Sequence, residues 1–336
     1  MKKKYIPLFI CLSLLFTTIT VAQTFEGLVF DAQTQQPLFG VSVYFDGTTI
    51  GTTTNQEGKF SISYKSSTNS PLVISYVGYE TQLYEVRKLE NGAKFFMKSK
   101  PQALGTVYLD NDPWSRRRKL DIFKREFIGE SVEPYMCRIL NLDAIELTYN
   151  PVTQKLNAYA DTPIIIKNKY LGYTVSYTME EFEVDLRFNN NGDALTRSVY
   201  IEGSTFYTEQ NKNVRRKHRK TREKEFGESV LHFMRSLAKK QLTENGFQIF
   251  RKGFIVPPYK YFQIAQIGEE TNVKLTADRL VIVYDRFQKS FLTIDDSNKE
   301  FFIDKYGNYS PPRKLSFGGV LGDKRIANTL PLDYNL

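Results

Sequence analysis

The sequence predicts a mainly β protein in two parts: a small N-terminal β-sandwich, then a mixed, mostly antiparallel α+β domain. Three observations carry this. Between residues 25 and 97, short runs of alternating apolar and polar residues are separated by turn residues, with no helical period among them, the pattern of two packed antiparallel sheets. Beyond residue 113, two stretches with apolar residues at helical spacing interrupt further strand-like runs. The length of 336 residues fits two domains.

The chain opens MKKKYIPLFICLSLLFTTITVAQ. Lys2, Lys3 and Lys4 precede an apolar run over 6–21, and Thr20, Val21 and Ala22 supply a small-residue cleavage site, so a secretory signal peptide over 1–22 is expected, with the mature chain starting at Gln23. The run is shorter than the roughly 20 residues a membrane-spanning helix needs. No later run approaches that length, so the exported chain is expected to be free of transmembrane spans, in the periplasm or cell envelope. Cys11 lies inside the run and offers no lipid site at the mature N-terminus. Its loss leaves Cys137 alone, without a disulfide partner, and its setting in YMCRIL fits a buried small hydrophobe. Removing the three lysines lowers the formal charge from +9 to +6.

Strands are expected over 25–30, 41–45, 58–64, 72–76, 81–86 and 94–97. Within GTTTNQEGKF, residues 51–60, the turn Asn55-Gln56-Glu57-Gly58 should join two strands as a hairpin, with Gly58 taking a positive φ and Phe60 and Ile62 facing the core. Glu57 is the single carboxylate between Gly51 and Phe60, whereas a calcium loop needs several.

GLVFDAQTQQPLFGVSVYFDGTTIGTTTNQEGKFSISY and the following LVISYVGYETQ carry G-x-V-x-D, P-L-x-G-V-x-V, G-T-x-T-x-x-x-G-x-F and S-Y-V-G-Y. Residues 24–98 thereby resemble the carboxypeptidase-regulatory-like domain, a prealbumin-like β-sandwich of about seven strands. The resemblance implies an accessory module and no chemistry of its own. A zinc carboxypeptidase of that kind would need His-x-x-Glu and a second histidine, yet His218 and His232 are followed three residues later by Thr221 and Arg235. The module also resembles the N-terminal extension of outer-membrane nutrient transporters, whose barrel of about 22 strands this chain is too short to hold. The expected division is a sandwich over 23–98, a linker over 99–113 with a short strand at 106–109, and an α+β domain over 114–336.

In that second domain WSRRRKLDIFKREFIGES places Leu120, Phe123 and Phe127 on one helix face, with Trp114 at its start. Strands are expected over 145–149, 155–159, 164–167, 173–177, 181–188 and 199–206. A second helix over 228–243 would present Leu231, Met234, Leu237, Ala238 and Leu242, stopped by Asn245-Gly246. Strands resume over 248–250, 280–284, 291–294 and 300–303. RRRKLDIFKREFIGES, IIIKNKYLGYTVSY, SVLHFMRSL and the tail from KEFFIDKYG resemble the second half of secreted proteins of the Gram-negative, Bacteroidetes-type envelope, a resemblance that implies an architecture and no reaction.

No G-x-S-x-G elbow, lysine-bearing phosphate loop or Cys/His zinc spacing occurs. His232, inside VLHFMRSL, fits a packed residue. His218, inside KHRK, should be held neutral by its cationic neighbours. Glu180, Glu181, Asp295, Asp296 and Asp304 read as solvated turn and strand-end charges. No catalytic, cofactor-binding or metal-ligating residue is expected, and no cofactor.

The sharpest anomaly is NKNVRRKHRKTREKEFGES, a dense positive block expected as an exposed loop or helix end. Arg215, Arg216, Lys217, Arg219 and Lys220 are the candidate contacts for an anion or partner: a lipid headgroup, a lipopolysaccharide phosphate or an acidic envelope protein. The other reading is a solubilising surface. Nucleic acid fits poorly with export and with the lack of any interleaved aromatic from Asn211 to Glu225 to stack a base. The function expected is a non-enzymatic envelope binding or scaffolding protein. The alternative is a secreted hydrolase of glycans or peptides, whose paired carboxylates would come from distant strands about 5 to 10 Å apart.

Overall fold

The computed structural model describes residues 22–65, 70–85, 88–100, 112–295 and 297–336. The expected signal segment up to residue 21, the short strand at 106–109 and Asp296 lie outside these.

The N-terminal part contains β1 (Ala22–Asp31), β2 (Ser42–Phe45), β3 (Gly51–Thr53), β4 (Lys59–Lys65), β5 (Leu72–Ser75), β6 (Gln82–Tyr84) and β7 (Ala93–Met97). They form two sheets ordered β4-β1-β7 and β3-β2-β5-β6. Phe25, Val29, Phe60, Ile62 and Phe95 of the first sheet meet Val43, Phe45, Leu72 and Ile74 of the second in one buried core. The period-2 alternation directs these side chains inward. A Cβ at Gly27 would lie 2.7 Å from the Phe60 ring, so the absent side chain makes room for that packing.

Two expectations are corrected. The sheets are not wholly antiparallel: β1 pairs β4 antiparallel but β7 parallel, because the chain crosses between sheets after β6 and enters beside β1 in the same sense. Residues 55–58 do not close a hairpin either, since β3 and β4 belong to different sheets. They turn the chain from one layer to the other. Asn55 and Lys59 exchange hydrogen bonds, N to O at 2.9 Å and N to Oδ1 at 2.8 Å, and Gly58 holds φ +71°.

The second part starts with α1 (Arg116–Phe127), whose N-cap Ser115 accepts from the Arg118 amide. β8 (Cys137–Ile139), β9 (Ile145–Asn150), β10 (Lys155–Ala160), β11 (Ile164–Asn168), β12 (Tyr173–Phe188) and β13 (Ala194–Glu209) follow. β13 runs along one edge of β12. The other edge is shared by β11, which continues to β8, and by β10, which continues to β9. Phe123 and Phe127 of α1 pack on Phe182 and Tyr177 of β12.

β12 was expected as two strands, 173–177 and 181–188. It is one, with a register shift between Met179 and Glu181. The shift leaves Glu180 and Glu181 both facing outward, so the alternation slips by one residue and reads as a break.

The positive block forms α2 (Arg216–Gly227), and α3 (Val230–Ala238) follows. α3 is shorter than the expected 228–243: Ser229 caps its start, Lys239 ends it, and Lys240 takes φ +55°. Leu242 still reaches the core, from outside the helix. The strands β14 (Phe247–Arg251), β15 (Phe254–Val256), β16 (Phe262–Ile267), β17 (Glu270–Leu275), β18 (Arg279–Tyr284), β19 (Gln288–Ile294), β20 (Glu300–Ile303), β21 (Tyr309–Ser310) and β22 (Leu315–Gly319) complete the chain. They form sheets ordered β15-β14-β18-β19-β22 and β16-β17-β20-β21. Phe233, Met234 and Leu237 of α3 join Phe247, Val273, Leu280 and Phe301 in a core separate from that beneath α1.

Candidate functional site

The loop between β2 and β3 fastens the sandwich to the rest of the protein. The Gly47 amide donates to the Thr205 carbonyl at 2.7 Å, and the Tyr207 amide to the Thr48 carbonyl at 3.0 Å. The Thr205 amide donates to Asp46 Oδ1 at 2.6 Å. Tyr44 packs on Phe206 with ring centroids 5.0 Å apart, and its hydroxyl lies 3.1 Å from Ser204 Oγ. The Thr49 amide and hydroxyl both donate to the Asp333 carboxylate. Burial pushes Asp46 up to about 6, because desolvation outweighs the two amides that favour its charge.

The tail closes the same assembly. Arg235 donates to the carbonyls of Tyr306, Tyr334 and Leu332 at 2.8, 2.7 and 2.7 Å. Ile326 and Ala327 donate to the carbonyls of Phe127 and Ile128. One segment thus touches α1, α3 and the sandwich loop.

On this frame α2 presents its charges. The run is helical although like charges repel, because His218, Arg222 and Glu225, spaced four and three residues apart, form a buried polar face. Arg222 Nη1 and Nη2 donate to the two Glu209 carboxylate oxygens at 2.7 and 2.8 Å, and Nε donates to the Leu171 carbonyl. The guanidinium lies 3.8 Å from the Tyr173 ring centroid. Glu225 accepts from Tyr170, Lys324 and Asn328. With that face held, Arg215, Arg216, Lys217, Arg219 and Lys220 are all exposed.

Beside the start of α2 lies a cleft of about 570 Å³, with Lys167, Lys169, Arg215, Lys217 and His218 in its walls. The structure therefore brings two of the five candidate cations, Arg215 and Lys217, together with two lysines that the sequence reading passed over. Arg216, Arg219 and Lys220 face elsewhere on the helix surface. Lys167 lies in β11 and Lys169 in the turn immediately after it, and both line the cleft. Their remoteness in sequence from the block hid the connection.

His218 is buried against Gly172, whose φ is +80° and where a Cβ would overlap the ring. Burial, then Lys217, Arg222 and Arg215, hold its pKa below the usual histidine range. His232 is likewise lowered, mainly by burial, and packs among Phe226, Phe247 and Tyr284. Cys137 is buried, and desolvation pushes its thiol up to about 12. A second cleft, of about 550 Å³, lies between α1 and β8, where Ile128, Val132 and Cys137 meet Lys124, Glu130 and Arg138.

Of the acids expected to be solvated, Asp304 is instead buried, because the turn at 304–308 folds its carboxylate inward. Glu181 pairs with Arg313 at 2.6 Å. Asp304 Oδ1 accepts from the Asn308 amide at 2.8 Å, and burial raises its pKa to about 6. Glu180 is raised, first by burial and then by Glu202.

The fold and this site define a two-part β-rich protein whose sandwich is docked on an α+β region bearing a basic helix and cleft. Residues 25–108, one quarter of the chain, match the CarboxypepD_reg-like domain. No curated protein is a significant match to the chain. No helix among the described residues is long and apolar enough to cross a membrane.

Proposed function

We propose that this is a non-enzymatic binding or scaffolding protein of the cell envelope, in which the CarboxypepD_reg-like sandwich props an α+β region that binds an anionic surface or acidic partner. The observation that carries the reading is the α2 face: five exposed cations on a helix anchored from below by Arg222 and Glu225. Anchoring holds the charges in place without using them in packing, which leaves them available to a partner. The envelope location rests on the secretory pattern of the first 22 residues. Glu181 and Glu225, among the acids of the second part, are already engaged by cations, which favours binding over carboxylate-assisted hydrolysis.

The test is sedimentation of the mature protein with anionic vesicles and with envelope extract across a salt series. Wild-type binding should fall steeply with salt, since exposed charges are screened over about 10 Å at 0.1 M and less above it. The variant with Arg215, Arg216, Lys217, Arg219 and Lys220 changed to Gln should bind weakly, respond little to salt and melt at the wild-type temperature. Equal, salt-independent binding by both proteins would assign the block to solubility.

A further inference from the structure

We infer that the cleft between the end of β11 and the start of α2 is a seat for a compact, doubly charged oxyanion, a phosphate or a phosphomonoester group. The inference rests on the anion-binding reading above and narrows it from a helix face to a pocket.

Four cationic side chains, Lys167, Lys169, Arg215 and Lys217, line the cleft. None forms an ion pair with a described residue. The one acid there, Glu209, is held by both Arg222 nitrogens, so no uncompensated negative charge competes for them. Four like charges around one concavity repel each other unless an anion sits between them, and a divalent oxyanion offers enough acceptors for several at once.

The backbone points the same way. α2 begins at N-cap Arg215 without a side-chain cap and with no acid in its first turn. Its first amides are therefore left without a side-chain acceptor at the positive end of a helix of 12 residues. His218, only 5 % exposed, also lines the cleft. The Lys169 backbone hydrogen-bonds its ring. The volume of about 570 Å³ admits a tetrahedral oxyanion together with part of whatever carries it.

The test titrates the mature protein with inorganic phosphate by calorimetry at constant ionic strength, using chloride as the background. Saturable binding is expected. The double variant Lys167→Gln/Lys169→Gln, which leaves the five-residue block intact, should weaken it at least tenfold. Arg216→Gln/Arg219→Gln/Lys220→Gln should change it less than twofold, and both variants should keep the wild-type melting temperature. Absence of saturable phosphate binding, or equal losses in the two variants, would overturn the seat.

Phosphatidic acid vesicles then separate the sources. Retention that inorganic phosphate competes away identifies a lipid headgroup, whereas phosphate binding without retention identifies a soluble phosphate compound. Vesicle binding that depends on the five-residue block but not on Lys167 and Lys169 would overturn this inference while leaving the proposed function standing.

Discussion

Arg222 meets Glu209 edge to edge, its two terminal nitrogens 2.7 and 2.8 Å from the two carboxylate oxygens, with the guanidinium almost wholly buried and the carboxylate partly open to solvent. That pair ties α2 to the end of β13. Replacing Arg222 by Ala leaves the Leu171 carbonyl unpaired and removes the stacking on Tyr173, while Glu209 keeps some solvent, so it should cost about 1 to 3 kcal/mol, below the cost of breaking a fully buried pair. Arg222→Lys should recover little, because an ammonium cannot supply the planar fork. Urea denaturation of both variants checks this, and equal stability of the Lys variant and wild type would contradict it.

The turn at residues 55–58 is sensitive at its glycine. Gly58 has φ +71°, and a Cβ there would lie 2.5 Å from the Val29 carbonyl oxygen. Gly58→Val should therefore cost at least about 1 to 3 kcal/mol from backbone strain. Glu57 is exposed, so Glu57→Gln should leave the melting temperature nearly unchanged. Comparable losses from both, reversed by calcium in the wild type alone, would mean that the turn is a metal loop.

Gly172 performs a similar service for α2. Its φ of +80° and its contact with the His218 ring leave no room for a side chain. Gly172→Ala should destabilise by about 1 to 3 kcal/mol and weaken binding at the adjoining basic cleft by displacing His218. Amide exchange localised to 215–222 would show the displacement, and unchanged protection there would refute it.

Asp46 makes the docking of the sandwich depend on pH. Its folded pKa of about 6 stands above the usual 3.8, so the native state binds the proton more tightly than the unfolded chain does. The stabilisation linked to that proton is complete below 3.8 and lost as pH rises through about 6, amounting to at most about 3 kcal/mol. Glu180 and Tyr44 face the same site. Asp46→Asn keeps an oxygen for the Thr205 amide without a charge, so it should gain on the wild type as pH rises from 5 to 8. A stability difference independent of pH would show that Asp46 is not the titrating group.

Much of the fold was legible locally. The alternation in GKFSISY and LVISY marked strands whose inward residues, Phe60, Ile62, Leu72 and Ile74, form the sandwich core. Leu120, Phe123 and Phe127 marked α1 for the same reason: periodicity is set by the geometry of one element. β16 and β22 escaped because they are edge strands whose residues are mostly exposed or half-buried, which blurs the alternation, whereas the alternation of β17 was present in the sequence and was missed.

The sequence by itself determined the sandwich, the helical stripe of α1 and the existence of a positive block, since each depends on spacing within a short segment. Only the tertiary structure decided that β7 runs parallel to β1, that residues 55–58 cross between sheets, and that the block is a helix anchored through Arg222 and Glu225. It alone joined Lys167 and Lys169 to Arg215 and Lys217, residues almost fifty positions away. The physical reason is common to these cases: the deciding contacts are a buried ion pair, a close backbone approach and a shared cleft, each made by groups that neighbour one another only after the chain has folded.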